Sequence, residues 1–430
     1  MKFLSKFLLN RKIVFCYIYI LLIYIQPSCL DKNFASKFPE LKLETTSIKD
    51  GNWLGKLIID SNDFIPFNFS IIDNKVVFTN DQEKIHTSLS QIDSNTYQIN
   101  MPVFNSSFNF SLINDSMVGF WRNYAKGEDY KMPFNAVYQG DSPYRFKVLN
   151  SLPSNFNGKW EVTFAYSDSN EFQALGVFNQ EKSALSGTFI TETGDYRFLE
   201  GAVKKDSLFL SCFDGSHAFL FKAVQKNDEL FGEFYSGNHY KESWKAIRNE
   251  NFKLQNPDSI TTITTDNKLT FTFPNLDSLL VTYPSDAFNN KVVIIQIIGT
   301  WCPNCMDETV FLSDLYERYN KDGLEIICLA YEKPGSFKDR CKNVKRLIDH
   351  SGAKYNFLIA GGSSKKEVER TLPFIKNVLS FPTSIFINKK GQVKKVHSGF
   401  YGPGTGDYYE KYKTEIKGLI ESLLSEKLNQ

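Results

Sequence analysis

Short runs in which every second residue is apolar dominate the chain as far as about Glu250, among them "KVVFTN" (Lys75–Asn80), "FNFSLIN" (Phe108–Asn114), "KWEVTFAY" (Lys159–Tyr166) and "DSLFLSCF" (Asp206–Phe213). Clusters of Asn, Asp, Gly and Ser separate them. A period of two puts alternate side chains on one face of a pleated strand, so the region predicts β-structure throughout, and no amphipathic helix of normal length competes. Two weak echoes run through it. "DGNWLGKLII" (Asp50–Ile59) is repeated loosely as "FNGKWEVTFAY" (Phe156–Tyr166), and "SMVGFWRNY" (Ser116–Tyr124) as "ELFGEFYSGNHY" (Glu229–Tyr240). They predict two mainly-β domains, sandwich-like or barrel-like, over residues 29–150 and 151–255, divided near the turn-rich stretch Gln139–Asn155. One larger sandwich or barrel stays open as an alternative.

From about Asn256 the pattern changes. After a linker or hairpin lead-in, "LTFTF" and "LLVTY" predict two short strands. A strand at Lys291–Ile298, a helix from Cys302 to about Asn320, a strand at Leu324–Tyr331 and a helix at Ser336–Ser351 follow. Next come a strand at Phe357–Ala360, a helical stretch Lys365–Leu379 interrupted by Pro373, strands at Thr383–Ile387 and Gln392–His397, and a C-terminal helix. The unbroken apolar run "KVVIIQII" (Lys291–Ile298) fits a strand covered on both faces, as β-α-β units require. Residues 256–430 therefore predict an α/β domain.

Length agrees with several domains, since 430 residues exceed what one core usually serves. The formal net charge is only +2 and no basic cluster stands out, so no nucleic-acid partner is expected. The N-terminus changes the picture more. Lys2, Lys6, Arg11 and Lys12 precede the apolar "IVFCYIYILLIYI" (Ile13–Ile25) and the breaker "QPSC" ending at Cys29. That order predicts a secretory signal over residues 1–28, its apolar run being short of the roughly 20 residues of a spanning helix. The Ser28-Cys29 junction resembles a bacterial lipoprotein box, although Gln26 and Pro27 depart from the usual aliphatic and small residues. It implies lipidation of Cys29 and membrane contact through that anchor, with the chain facing the periplasm in the cell envelope. Disulfides persist in such a compartment.

Seven cysteines are too sparse for a disulfide-stapled scaffold. Two of them, Cys302 and Cys305, stand three apart in "GTWCPNCMDE" (Gly299–Glu308), directly behind the apolar strand. A structural zinc site would need two further ligands, but Cys212, Cys328 and Cys341 are isolated and no His pair has ligand spacing. A purely structural staple over so short a loop removes little entropy from the unfolded chain. A redox pair suits the position. At a helix start the macrodipole and free N–H groups favour a thiolate at Cys302, the form that attacks a disulfide. Cys305, one turn inward, is placed to resolve the mixed disulfide, and Pro303 suits the first helical position.

From about Leu269 to the C-terminus the chain resembles the thioredoxin fold, and more narrowly the envelope-tethered thiol-disulfide oxidoreductases of the TlpA type. The resemblance rests on "WCPNC", on Glu308 three residues past Cys305, on "SFPT" (Ser380–Thr383) ahead of a strand, and on the hairpin "INKKGQVKKVHSG" (Ile387–Gly399). It implies a thioredoxin-like α/β fold and a reversible Cys302-Cys305 disulfide, with no cofactor and no metal. Its implied partners are client proteins with disulfides and an upstream membrane electron donor. It also implies a cis Pro382, a substrate chain lying along Phe381, Pro382 and Thr383 beside Trp301 and Pro303, and Glu308 as the acid managing protons near Cys305. Blander readings stand beside these: Pro382 as a strand-starting proline, Glu308 as a first-turn glutamate on the helix dipole, and Trp301 as a core residue. Where general thioredoxins carry a buried aspartate, this chain has Gln296. Cys212 and Cys328 lie in apolar strands and read as inert, Cys341 sits on a polar helix, and His217 reads as a satisfied strand or turn residue.

Electron flow is expected toward clients, by analogy with tethered relatives. Known pairs run from about −270 mV for thioredoxin to about −120 mV for a strong oxidant. The Pro303-Asn304 dipeptide matches neither extreme, so a disulfide oxidase or isomerase, a thiol peroxidase, or an envelope binding protein working through its β-domains remain alternatives.

Overall fold

The computed structural model describes residues 48–427 apart from 142–143, 148–151, 265–268 and 379; the expected signal segment and Cys29 lie outside the described residues. Eight antiparallel strands, from Gly51–Ile58 to Lys131–Gly140, close into a first barrel because the first strand pairs with both its successor and the last. Alternate residues point inward, and aromatic rings fill the space: Trp53, Phe67, Phe78, Phe108 and Trp121 are all buried. A barrel of this size is a packed core.

A second antiparallel sheet runs from Gly158–Phe164 to Tyr240–Arg248. Its strand Phe172–Glu181 pairs with both Gly158–Phe164 and Ala184–Thr191, which closes a second ring around Trp160, Phe164, Phe189, Phe221 and Trp244. The two rings repeat one design. In the opening strand of each, an indole N–H donates to the carbonyl four residues earlier, Trp53 to Lys49 at 3.1 Å and Trp160 to Phe156 at 2.9 Å. On the penultimate strand of each, a Cβ at Gly119 or Gly232 would come within 2.1 or 2.3 Å of a neighbouring backbone carbonyl, a close approach that only glycine allows.

The C-terminal domain holds a five-stranded sheet in the order Asn356–Gly362, Leu324–Glu332, Val292–Ile298, Thr383–Ile387, Val393–Ser398. The first three run parallel and the last two antiparallel. Helices α1 (Pro303–Tyr319), α2 (Phe337–Ser351), α3 (Lys365–Thr371) and α4 (Asp407–Ser425) accompany it. All of Val292–Ile298 is buried, as its largely apolar run requires, the polar Gln296 included. One expected element is corrected. The helix expected over Lys365–Leu379 ends at Thr371, and Ile375–Lys376 pairs instead with Thr262–Ile263 of the linker. Pro373 disfavours helical backbone at the residue before it, which frees the segment for that pairing.

The three parts share one interface. Phe213, at the tip of a second-barrel hairpin, sets its ring 4.7 Å from Phe67 and joins the core of the first barrel. Three residues on, Ser216 Oγ donates to the carbonyl of Trp301 at 2.9 Å. Val103 and Phe104 of the first barrel are buried in the core of the C-terminal domain. The cysteine pair lies at this junction.

Candidate active site

Helix α1 begins at Pro303, with Cys302 as its N-cap. Cys302 Sγ accepts the Cys305 N–H at 3.4 Å and, as a thiol, donates to the Phe381 carbonyl at 3.4 Å. The sulfur therefore meets both the free end of the helix and the loop ahead of strand Thr383–Ile387. That loop contains a cis Phe381-Pro382 peptide, and Thr383 continues it into the sheet opposite Ile297. Trp301 is pinned by its indole N–H to the Tyr331 carbonyl at 3.1 Å, with its ring 5.4 Å edge-on from Phe381. It forms a half-buried wall beside Cys302.

The two sulfurs differ in access. Both are free thiols in this structure, Cys302 partly exposed and Cys305 buried. Burial pushes the Cys305 thiol up, and its hydrogen bond and proximity to Cys302 add to the effect. A reachable outer sulfur thus backs onto an inner one held protonated.

Glu308 is fully buried beside them. Its Oε2 accepts from Gln296 Nε2 and its Oε1 from Ser384 Oγ, both at 2.9 Å. Burial lifts its carboxyl to about 7 in spite of these two bonds. Gln296, in turn, accepts from Tyr355 Oη at 3.3 Å. The strand position where thioredoxins were expected to place an acid here anchors one that arrives from α1.

Sequence pattern does not single out the neighbouring Asp307 or its partner. Arg197, from the second barrel and 2% exposed, reaches Asp307 of α1, Glu83 of the first barrel and Asp214 of the Phe213 hairpin, the last at 3.4 Å. Its guanidinium also donates to the Pro303 carbonyl at 3.4 Å. Burial pushes Asp307 up to about 7 against the pull of Arg197. These partners lie 17 to 114 residues from Arg197 in the chain, and no local motif marks them.

The remaining candidates are structural in placement. Cys212 and Cys328 are buried in strands. Cys341 sits on the largely polar helix α2, as expected, and is buried on its core-facing side with Val344 and Leu347. His217 sits 3.3 Å from Asp214 in the hairpin. Among the described residues no three His, Cys, Asp or Glu side chains cluster as a metal-binding group.

The Redoxin family model matches residues 264–411, the segment that holds the sheet, α1 and the cis-proline loop. The C-terminal domain has a thioredoxin-like fold. Among curated relatives, the thiol-disulfide oxidoreductase ResA of Halalkalibacterium halodurans is 30% identical over 109 residues, 25% of this chain and 54% of that protein. ResA of Bacillus thuringiensis subsp. konkukian is 30% identical over 129 residues, 30% of this chain and 65% of that one. The chain thus spans between half and two thirds of the length of these relatives. A solved thiol:disulfide interchange protein of Chlorobium tepidum, 18% identical, covers 39% of this chain and 99% of its own, with a TM-score of 0.29.

Proposed function

We propose that the chain is a thiol-disulfide oxidoreductase that reduces disulfides of client proteins in the cell envelope, cycling Cys302-Cys305 between dithiol and disulfide. One arrangement carries this reading: a partly exposed Cys302 sulfur against the Phe381 carbonyl, with a buried Cys305 one turn inside. The Cys302 thiolate attacks a client disulfide while the client backbone lies along Phe381, Pro382 and Thr383, beside the wall made by Trp301; Pro303, expected to share that wall, is buried under the second barrel. Cys305 then passes its proton to Glu308, attacks Cys302 Sγ and releases the reduced client, leaving the pair oxidised. A membrane electron donor restores the dithiol.

In this reading the N-terminal segment directs export, the chain faces the periplasm, and a lipid on Cys29 supplies membrane contact. Among the described residues no helix is long and apolar enough to cross a bilayer. The barrel domains, residues 29–150 and 151–255, serve client recognition or spacing.

Reduction of insulin disulfides by the soluble chain, compared with Cys302→Ser, tests the reading, and full activity in the variant overturns it. Equilibration against glutathione buffers fixes direction: a potential near thioredoxin's about −270 mV supports a reductase, and one near about −120 mV an oxidase or isomerase.

A further inference from the structure

A cleft of about 830 Å³ opens between the first barrel and the C-terminal domain, with Trp301 in its wall. Four cations line it: Lys126 from the barrel, and Lys333, Lys342 and Arg346 from the C-terminal domain. Three of these have neutral partners. Lys126 Nζ lies 3.2 Å from His239 Nε2, Lys333 Nζ sits 4.5 Å over the Trp301 ring, and Arg346 donates to Asn343 Oδ1 at 3.2 Å. Partial desolvation and the nearby Lys126 charge push His239 down to about 4, so it offers that lysine no negative charge.

The acids of the cleft are engaged elsewhere or exposed. Glu332 accepts from the Thr300 N–H and hydroxyl at 2.9 and 2.7 Å, Asp339 caps α2 through Ser336, and Glu128 is exposed on the rim. Lys126 and Lys333 also act on each other. Desolvation lowers the Lys126 ammonium to about 8, with the charge of Lys333 pushing the same way against the pull of Asp214. An anion between them would relieve that repulsion. On the other flank of the α1 start, Arg197 and Asn304 tie the second barrel down over Pro303. The cationic cleft adjoins the redox pair at Trp301, the residue before Cys302, and its volume suits a small ligand.

We propose that this cleft admits a low-molecular-weight disulfide bearing carboxylates, which Lys126 and Lys333 hold while Cys302 attacks its sulfur. The inference rests on the oxidoreductase reading and adds a substrate class to it. The Cys302 thiolate attacks one sulfur, the substrate S–S bond breaks and one thiolate leaves. Cys305 then attacks Cys302 Sγ, expelling the second thiolate. The pair loses two electrons, the substrate gains them as two thiols, and the dithiol present in this structure is the reductant.

Single-turnover oxidation of the reduced chain tests it, with dithiodipropionate (anionic), hydroxyethyl disulfide (neutral) and cystamine (cationic) as probes. Each rate is divided by that of dithiothreitol with the same disulfide, which removes intrinsic reactivity. The normalised anionic-to-neutral ratio is expected to be about tenfold, the equivalent of about 1.4 kcal/mol. It should fall toward one in K126A/K333A and in high salt, with cystamine slowest. Because loss of a cation near Cys302 would slow all three disulfides alike, the ratio isolates selectivity. Equal normalised rates, a cationic preference, or a ratio unchanged in K126A/K333A overturns the proposal while leaving the oxidoreductase reading standing. Failure to react with any of the three overturns both.

Discussion

Gln296 holds Glu308 by a 2.9 Å hydrogen bond inside the sheet-helix core, one helical turn from Cys305. With a carboxyl at about 7 against an ordinary 4.5, the folded chain binds this proton more tightly than the unfolded one. Glu308 therefore contributes stability that is fully present below about pH 4.5 and is lost as pH rises toward about 7. The span corresponds to about 3 kcal/mol. In Glu308→Gln that fall should be absent, so the stability advantage of wild type over the variant, followed by denaturant unfolding, should decline from pH 4 to 8 by that amount. If Glu308 takes the Cys305 proton as proposed, the same substitution should slow resolution of the mixed disulfide by about a hundredfold at pH 7.5. A resolution rate that keeps its wild-type pH profile would show that Glu308 takes no part.

Arg197 is the shared counter-charge for carboxylates from all three parts of the chain. Arg197→Met leaves the buried Asp214 and the largely covered Glu83 and Asp307 without it, and removing one member of a buried ionic group costs about 3–5 kcal/mol. The loss should shrink at pH 5, where Asp307, already at about 7 beside Arg197, takes up its proton. Arg197→Lys keeps the charge but loses the planar fork that reaches several partners, so it should recover only part of the stability. Thermal unfolding at pH 5 and 8 distinguishes these outcomes.

The legible parts of the fold were those written in local periodicity. Alternation marked the strands of both barrels, and the apolar run at Val292–Ile298 marked a doubly covered strand. Ring closure was not legible, because it joins Gly51–Ile58 to Lys131–Gly140 across the whole first barrel. At the site, Cys302, Cys305 and Glu308 lie within about two helical turns and could be read together. Arg197 could not, since Glu83 is 114 residues away and Asp307 110. The end of α3 was misread because the competing partner of Ile375–Lys376 is a linker more than a hundred residues upstream.

Access should separate the cysteines chemically. In the reduced native chain at pH 7.5, iodoacetamide is expected to modify Cys302 and to spare Cys212, Cys305, Cys328 and Cys341, all of which are buried. Peptide mass spectrometry reads this directly. In Cys305→Ser, client disulfides should accumulate as mixed disulfides on Cys302 that reducing agent releases. Preferential labelling of Cys305 would reverse the assigned order of attack.

Phe213 belongs by sequence to the second barrel and by packing to the first, where its ring lies 4.7 Å from Phe67, 5.2 Å from Phe108 and 5.3 Å from Trp121. Truncating a buried phenylalanine costs about 3–5 kcal/mol through lost burial and the cavity left behind. In Phe213→Ala that cavity opens inside the first barrel, so its amides on Phe64–Ile72 and Ser106–Ile113 should exchange hydrogen faster although the substitution lies in the other barrel. Phe189→Ala makes the same truncation within the second barrel's own core and should speed exchange there instead. The hairpin carrying Phe213 also carries Ser216, which holds the Trp301 carbonyl. Phe213→Ala should therefore loosen the wall beside Cys302 and speed alkylation of that cysteine, whereas Phe189→Ala should leave it unchanged. Equal exchange patterns in the two variants would mean that the barrels are not coupled through this ring.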